Sequence, residues 1–388
     1  MELTLKEIRA RIVAKEITAI SLDTTAFERS RLDLESGLLL RLRQFKGSRV
    51  RLVLSTVVAS EVQAHLLKAA NDAYTSLGKA ISELAKGWRV SRERGEELHT
   101  LITGGQTPDG MAAERWGQFI SRSGAIVMSA SEHGDADDVL RRYFTVQPPF
   151  ESTDKKKHEF PDAIALVGLE RWALANDTQV LVVSGDSGWK NFCNTSERLV
   201  AVDNLGNALD SFQDDVARML CKDLSESLAK GDPLGIAATI QRAVKEQHSS
   251  IGIDVEANSQ FFVEEDGLEF EIESIQIMDA SDGNALSAID YDGKILEAEV
   301  RIAAQARGSV TFSFSKWDSI DKVYDSMGST TLEFTEPLEL EAIMTFERDK
   351  KGNLKIQRVE VESREVTLSY GDLEPDWMSD GPEPDDPR

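Results

Sequence analysis

Short apolar runs alternate with longer stretches of helical periodicity through the first half of the chain. Five runs have the length and apolar content of buried strands: residues 18–23, 50–55, 125–128, 179–184 and 199–202. Apolar residues at helical spacing lie between them, at residues 1–17, 32–45, 56–124, 135–144 and onward from 161. Strands that alternate with helices predict βαβ units around a central parallel sheet, which is an α/β fold.

The pattern changes after residue 203. Helical spacing predicts one long amphipathic helix over residues 209–228 and a second over residues 234–244. Beyond residue 250 apolar and polar residues alternate with a period of two, in runs at residues 268–272, 296–302, 310–314 and 338–342. This alternation predicts an antiparallel, β-rich module with one buried face and one acidic face in solvent.

These changes of pattern divide the chain into four predicted segments. Residues 1–203 form an α/β domain with a helical insertion, 204–250 a helical linker and 251–371 an acidic β-rich domain. The last segment, residues 372–388, contains seven acidic residues and four prolines. Its charge and its prolines predict a disordered tail.

Composition narrows the classes of protein that fit. The net charge of −24 at pH 7 argues against broad electrostatic affinity for nucleic acid, although a nuclease needs positive charge only along its substrate groove. We find no apolar run long enough for a membrane span and no secretory signal at the start. The two cysteines and five scattered histidines do not have zinc-site spacing. We therefore expect a cytoplasmic protein.

Four carboxylates follow strands or begin helices in the predicted α/β domain: Asp23, Glu61, Asp162 and Asp186. Functional sites of open α/β sheets form outside the carboxyl ends of the strands, so we expect these side chains to meet there. Four acids at one place repel one another unless a cation joins them. Oxygen ligands suit Mg²⁺ or Mn²⁺, and the matching reaction is hydrolysis of a phosphodiester bond.

Each acid also has a purely structural interpretation. Asp23 and Asp186 are ordinary residues for turns that follow strands, and Glu61 fits a solvent-exposed helix face. Asp162 follows Pro161 at a predicted helix start, where the helix dipole stabilises a negative charge. The functional interpretation depends on all four acids occurring in register with the alternating strands and helices.

Four sequence segments resemble the acidic motifs of PIN domains: 21–27 (SLDTTAF), 57–61 (VVASE), 159–164 (EFPDAI) and 183–189 (VSGDSGW). The resemblance implies a three-layer α/β/α fold and a Mg²⁺- or Mn²⁺-dependent endoribonuclease acting on RNA, with single-stranded RNA expected. The resemblance also implies one of three biological roles: the toxin of a bacterial toxin–antitoxin pair, phage defence or RNA processing. It assigns catalytic and metal-binding roles to Asp23, Glu61, Asp162 and Asp186, and supporting roles to Ser184 and Thr24.

Two positions depart from the motifs of the family. Thr25 stands where many members have asparagine, and Gly185 precedes the fourth acid where asparagine is common. Neither change removes a carboxylate. The basic segment that ends in Lys157 and His158 precedes Asp162 and has two interpretations, a weak substrate-binding element or a solvent-exposed loop.

The alternative to an active nuclease is a catalytically inactive PIN fold that acts as a scaffold or binding module through protein partners. The acidic β-rich domain is expected to lack a nuclease role, because its glutamates repel phosphate. We expect it to engage a protein partner or to regulate the first domain.

Overall fold

The computed structural model describes residues 3–88, 91–150, 159–279, 283–319, 322–349 and 353–379. The chain forms two compact units, Met1–Asp214 and Asp215–Arg388. This boundary divides the predicted linker at residues 204–250 between the two units, and its helices belong to one unit or the other.

The N-terminal unit contains five strands and eleven α-helices among its described residues. The strands are β1 (Ile17–Leu22), β2 (Arg51–Ser55), β3 (Ile126–Met128), β4 (Gln179–Val183) and β5 (Leu199–Val202). The first six helices are α1 (Leu5–Val13), α2 (Thr24–Arg29), α3 (Gly37–Arg41), α4 (Thr56–Trp88), α5 (Arg92–Thr103) and α6 (Pro108–Ser123). The others are α7 (Ala130–His133), α8 (Ala136–Thr145), α9 (Phe160–Ala175), α10 (Ser187–Thr195) and α11 (Leu205–Phe212).

The five strands form one parallel sheet in the order β3-β2-β1-β4-β5, with helices packed around it. This arrangement confirms the predicted α/β fold with a central parallel sheet. β1 and β4 are central, so the segments after them leave the same edge of the sheet side by side. In β1, Ile17, Ala19, Ile20 and Leu22 are all buried, as expected for a strand covered on both faces.

Helix α9 is apolar around most of its circumference, and it contacts β2, β3, β4 and β5. The burial of most of its middle residues packs the helix against the sheet, with its first turn beside the strand ends. The predicted helix at 32–45 is shorter than expected: α3 passes into a 3₁₀ turn, Leu42–Phe45, and Leu32 has a left-handed backbone with φ of 56°. A helix cannot continue through that conformation.

The C-terminal unit combines seven strands with three helices among its described residues. The strands are β6 (Ile251–Asn258), β7 (Phe262–Met278), β8 (Leu286–Tyr291), β9 (Ile295–Asp318), β10 (Val323–Arg348), β11 (Leu354–Val361) and β12 (Arg364–Asp372). The helices are α12 (Asp215–Ala229), α13 (Ile236–Glu246) and α14 (Asp376–Ser379).

Strands β7 to β11 pair antiparallel, which confirms the predicted antiparallel module. In β9, Leu296 and Ala298 are buried in a core to which α12 and α13 contribute Leu224 and Ile240. The two helices predicted to lie in a linker therefore form part of this core. Glu297, between Leu296 and Ala298, is buried as well, so the acidic face predicted to lie in solvent is covered in this part of the strand. β6 and β12 differ from the rest because they pair parallel, through strands more than a hundred residues apart in the chain.

Two further predictions differ from the structure. The helix predicted over 209–228 is two helices, because Gln213 adopts an extended backbone that ends α11. Residues 372–379, predicted as the start of a disordered tail, end β12 and form α14, where the Trp377 indole donates to the Met327 carbonyl oxygen at 2.6 Å. Within the described ranges, no helix has the length and apolarity needed to cross a membrane.

Candidate active site

The first candidate residue, Asp23, follows β1 directly and caps the start of α2. Its carboxylate is 2% exposed and accepts from the Ala26 N–H at 3.0 Å and from the Thr25 hydroxyl at 2.6 Å. The Ser184 hydroxyl donates to its other oxygen. Burial raises the pKa of Asp23 above its usual range, against the opposing effect of these donors.

Ser184 joins the ends of the two central strands. Its hydroxyl donates to Asp23 and accepts from the Asp186 N–H at 3.0 Å, so the turn after β4 is held against the end of β1. Asp186 then caps α10, because its carboxylate accepts from the Trp189 N–H at 3.0 Å. The carboxylates of Asp23 and Asp186 therefore lie near enough for the charge of Asp186 to raise the pKa of Asp23.

Glu61 reaches the same region from the second turn of α4, the helix that follows β2. The Thr24 hydroxyl donates to its carboxylate at 2.6 Å. Thr24 is the residue after Asp23, so one short segment positions two of the candidate acids. The resemblance associates Thr24 with the first acid, whereas the hydroxyl contacts the second.

Asp162 lies in the first turn of α9 and accepts from the Trp189 indole N–H at 2.8 Å. The pKa of Asp162 is raised to about 6, chiefly by burial. The negative charges of the other three candidate acids contribute to this rise, and the indole donor opposes it. The helix dipole alone would have the opposite effect, because it stabilises the charged form. We refer to Asp23, Glu61, Asp162 and Asp186 together as the carboxylate cluster.

The structural interpretations of Asp23 and Asp186 also hold. Both side chains accept from backbone N–H groups at helix starts, as capping residues do. Capping does not account for the effect of the whole cluster on the pKa of Asp162, nor for the hydroxyl and indole donors on three of the carboxylates. Capping also holds these two carboxylates in fixed positions.

The donor set of the cluster consists of carboxylate oxygens, which fits Mg²⁺ or Mn²⁺. Within the part of the chain that the structure describes, no three His, Cys, Asp or Glu side chains are arranged to hold a metal ion. The carboxylate oxygens are instead directed to hydroxyl, indole and backbone donors. The raised pKa values of Asp23 and Asp162 show that these donors do not compensate for burial and repulsion.

Three contacts near the carboxylate cluster were not predicted from the sequence. Thr25, a departure from the family motifs, donates to Asp23, and the indole of Trp189 donates to Asp162. The second contact had a signal in the sequence, because Trp189 stands three residues after Asp186 in a helix start. The third is steric, since a Cβ on Gly185 would lie 2.6 Å from an Arg29 guanidinium nitrogen. Lys157 and His158 lie outside the described residues.

A family model described as PIN domain matches residues 20–189, a range that includes the whole carboxylate cluster with Thr24 and Ser184. No curated protein matches the chain significantly. PIN domains are typically nucleases and generally use divalent metal ions. Residues 20–189 of this chain thus match the PIN-domain family, which confirms the resemblance seen in the four acidic motifs.

Proposed function

We propose that this protein is a divalent-metal-dependent endoribonuclease that hydrolyses phosphodiester bonds of single-stranded RNA at the carboxylate cluster. The observation that carries the proposal is the placement of four carboxylates together, after β1 and β4 and at the starts of α4 and α9. The charges of Asp23, Glu61 and Asp186 add to the rise that burial causes in the pKa of Asp162. Protein interiors tolerate such repulsion where a cation relieves it. The match to the PIN-domain family supports the same chemistry.

The four carboxylates would hold Mg²⁺ or Mn²⁺, which supplies a hydroxide nucleophile at neutral pH and neutralises negative charge on the reacting phosphate. Ser184, Thr24 and Thr25 orient the carboxylates through their hydroxyl donors. Trp189 holds Asp162 from a buried position and shields that side of the cluster from water. Binding of the metal ion would require the carboxylates to turn partly away from these hydroxyl and indole donors.

The C-terminal unit supports a role other than RNA binding. Glu269 and Glu271 of β7 and Glu339 of β10 are exposed, so this surface repels phosphate. We propose that it engages a protein partner or regulates the nuclease. Action in the cytoplasm as a toxin or a phage-defence effector stays a prediction of the family resemblance.

The decisive test compares Glu61→Gln with Glu83→Gln, an exposed position on the same helix α4. Both changes remove one negative charge, and glutamine at 61 still accepts from the Thr24 hydroxyl. We expect Mn²⁺-dependent cleavage of a labelled single-stranded RNA by the wild type and Glu83→Gln, and loss of at least about a hundredfold in Glu61→Gln. EDTA should abolish cleavage in all three proteins.

If the protein is instead a catalytically inactive scaffold, none of the three proteins should cleave the RNA. Cleavage that persists unchanged in Glu61→Gln, or in EDTA, would come from a contaminant or another site and would refute the assignment of the cluster.

A further inference from the structure

We propose that Arg29 binds a backbone phosphate of the RNA beside the carboxylate cluster. The inference rests on the proposed nuclease function and names a residue that would hold the substrate at that site. Arg29 is the last residue of α2, the helix that Asp23 caps, and no motif of the sequence singles it out.

The guanidinium of Arg29 lies against Gly185, which is the residue between Ser184 and Asp186 in the sequence. A Cβ on Gly185 would stand 2.6 Å from Nη2 of Arg29, which is closer than real Cβ atoms come, and 3.3 Å from Cζ. Gly185 does not have the left-handed backbone that would itself call for glycine. The missing side chain therefore makes room for the guanidinium at the carboxyl end of β4.

Arg29 also reaches the end of the neighbouring strand. Its Nη1 donates at 3.2 Å to the carbonyl oxygen of Asp203, the residue after β5. The guanidinium thus spans the ends of β4 and β5, on the edge of the sheet where the cluster lies.

The charge of Arg29 is not neutralised by a carboxylate within the described residues, and its side chain is exposed. The neighbouring Lys190, by contrast, pairs with the Asp203 carboxylate at 2.5 Å. A carbonyl oxygen occupies one of the five N–H donors of a guanidinium, so donors remain for a further acceptor.

A phosphate is the acceptor that suits this position. RNA that approaches four carboxylates is repelled, and a planar guanidinium can bind two phosphate oxygens at once. Arg29 would hold a phosphate adjacent to the one that reacts, because its guanidinium lies beside the turn that carries Asp186. The competing interpretation is that Arg29 has a purely structural role and only links α2 to the Asp203 carbonyl oxygen.

The test measures binding of a fluorescent single-stranded oligoribonucleotide to the full chain with Mn²⁺, in a Glu61→Gln background that keeps the RNA intact. Arg29→Ala should weaken binding about tenfold at 0.1 M salt. It should also reduce the slope of log affinity against log salt by about 0.7, the value for one phosphate contact on a single strand. Arg29→Lys should keep the slope and part of the affinity.

Gly185→Ala perturbs the same contact without changing charge. The added methyl group meets only the flexible end of the Arg29 side chain, so the fold should survive while the guanidinium is displaced. We expect weaker binding in this variant too. Arg198→Ala is the matched control, because Arg198 precedes β5 at the opposite edge of the sheet and pairs with Asp177. It should leave affinity and slope unchanged.

Unchanged affinity and slope in Arg29→Ala and Gly185→Ala would overturn the proposal. If the melting temperature also falls, the role of Arg29 is purely structural. If wild type cleaves RNA while Arg29→Ala binds normally, the inference alone fails. If wild type neither binds nor cleaves RNA, the proposed function fails with it.

Discussion

Replacing Asp162 with asparagine removes one charge from the carboxylate cluster and keeps the size of the side chain. The amide oxygen of asparagine can still accept from the Trp189 indole, whose N–H lies 2.8 Å from the wild-type carboxylate. The variant therefore isolates the charge of Asp162 from its packing. Its effect on stability follows from the pKa of Asp162, which is about 6 in the folded protein.

An aspartate in an unfolded chain has a pKa of about 3.9, so folding raises the pKa of Asp162 by about two units. At about 1.4 kcal/mol per unit, the charged side chain costs the folded state up to about 3 kcal/mol. Between about pH 4 and pH 6 the folded state binds more protons than the unfolded state. The free energy of unfolding should therefore fall as pH rises through this window and stay low above it.

Without divalent metal at pH 8, Asp162→Asn should accordingly be more stable than wild type by up to about 3 kcal/mol, and the difference should vanish below about pH 4. Urea unfolding in EDTA at the two pH values measures this. Asp109→Asn is the matched control, because Asp109 also follows a proline in the first turn of a helix but is exposed. It should lose about 0.3–1 kcal/mol through the helix dipole.

Metal ions reverse the comparison. Mn²⁺ should raise the unfolding midpoint of wild type and of Asp109→Asn, because it binds the folded state, and should raise that of Asp162→Asn far less. The asparagine variant should also fail to cleave RNA. Equal stability of Asp162→Asn and wild type at pH 8, a loss like that of Asp109→Asn, or equal stabilisation by Mn²⁺ would refute the reasoning.

Three further changes test the support around the cluster. Ser184→Ala should cost about 1–2 kcal/mol of unfolding free energy in urea, because it removes a donor from buried Asp23. Trp189→Phe should raise the pKa of Asp162 further, since the lost indole donor favours the charged form, and should move the pH midpoint of Mn²⁺ binding upward. A chain ending at Asp214 should fold and keep Mn²⁺-dependent cleavage, because that boundary separates the two compact units.

Each of these three predictions has an outcome that would contradict it. Ser21→Ala is the control for Ser184→Ala, since the buried Ser21 hydroxyl has no hydrogen-bond partner among the described residues and its loss should be nearly neutral. Equal losses in the two serine variants would mean that Ser184 only fills space. An unchanged Mn²⁺ midpoint in Trp189→Phe would remove the indole from the site. A well-folded but inactive truncation would make the C-terminal unit part of the nuclease.

The location of the carboxylates along the chain was readable from local patterns. The apolar runs of β1 and β4 end just before Asp23 and Asp186, and parallel strands bring their carboxyl ends to one edge of a sheet. Pro161 marked the helix start that carries Asp162. Such patterns report which face of an element is buried, and that information is contained in neighbouring residues.

The partners of these carboxylates were decided by tertiary structure. The Thr24 hydroxyl meets Glu61 of α4 rather than the adjacent acid, and the packing of α10 against α9 brings Trp189 to Asp162. The same holds for the Arg29 guanidinium, which needs the space that Gly185 leaves open. These contacts join side chains 27 to 156 residues apart in the sequence.

The C-terminal unit shows the same division. Period-two alternation predicted the long antiparallel strands, because each residue of a strand faces either the core or solvent. The parallel pairing of β6 with β12 and the packing of Trp377 on β10 had no local signature. Periodicity describes how one element is buried, whereas pairing and side-chain contacts depend on which distant elements cover it, and only the folded chain decides that.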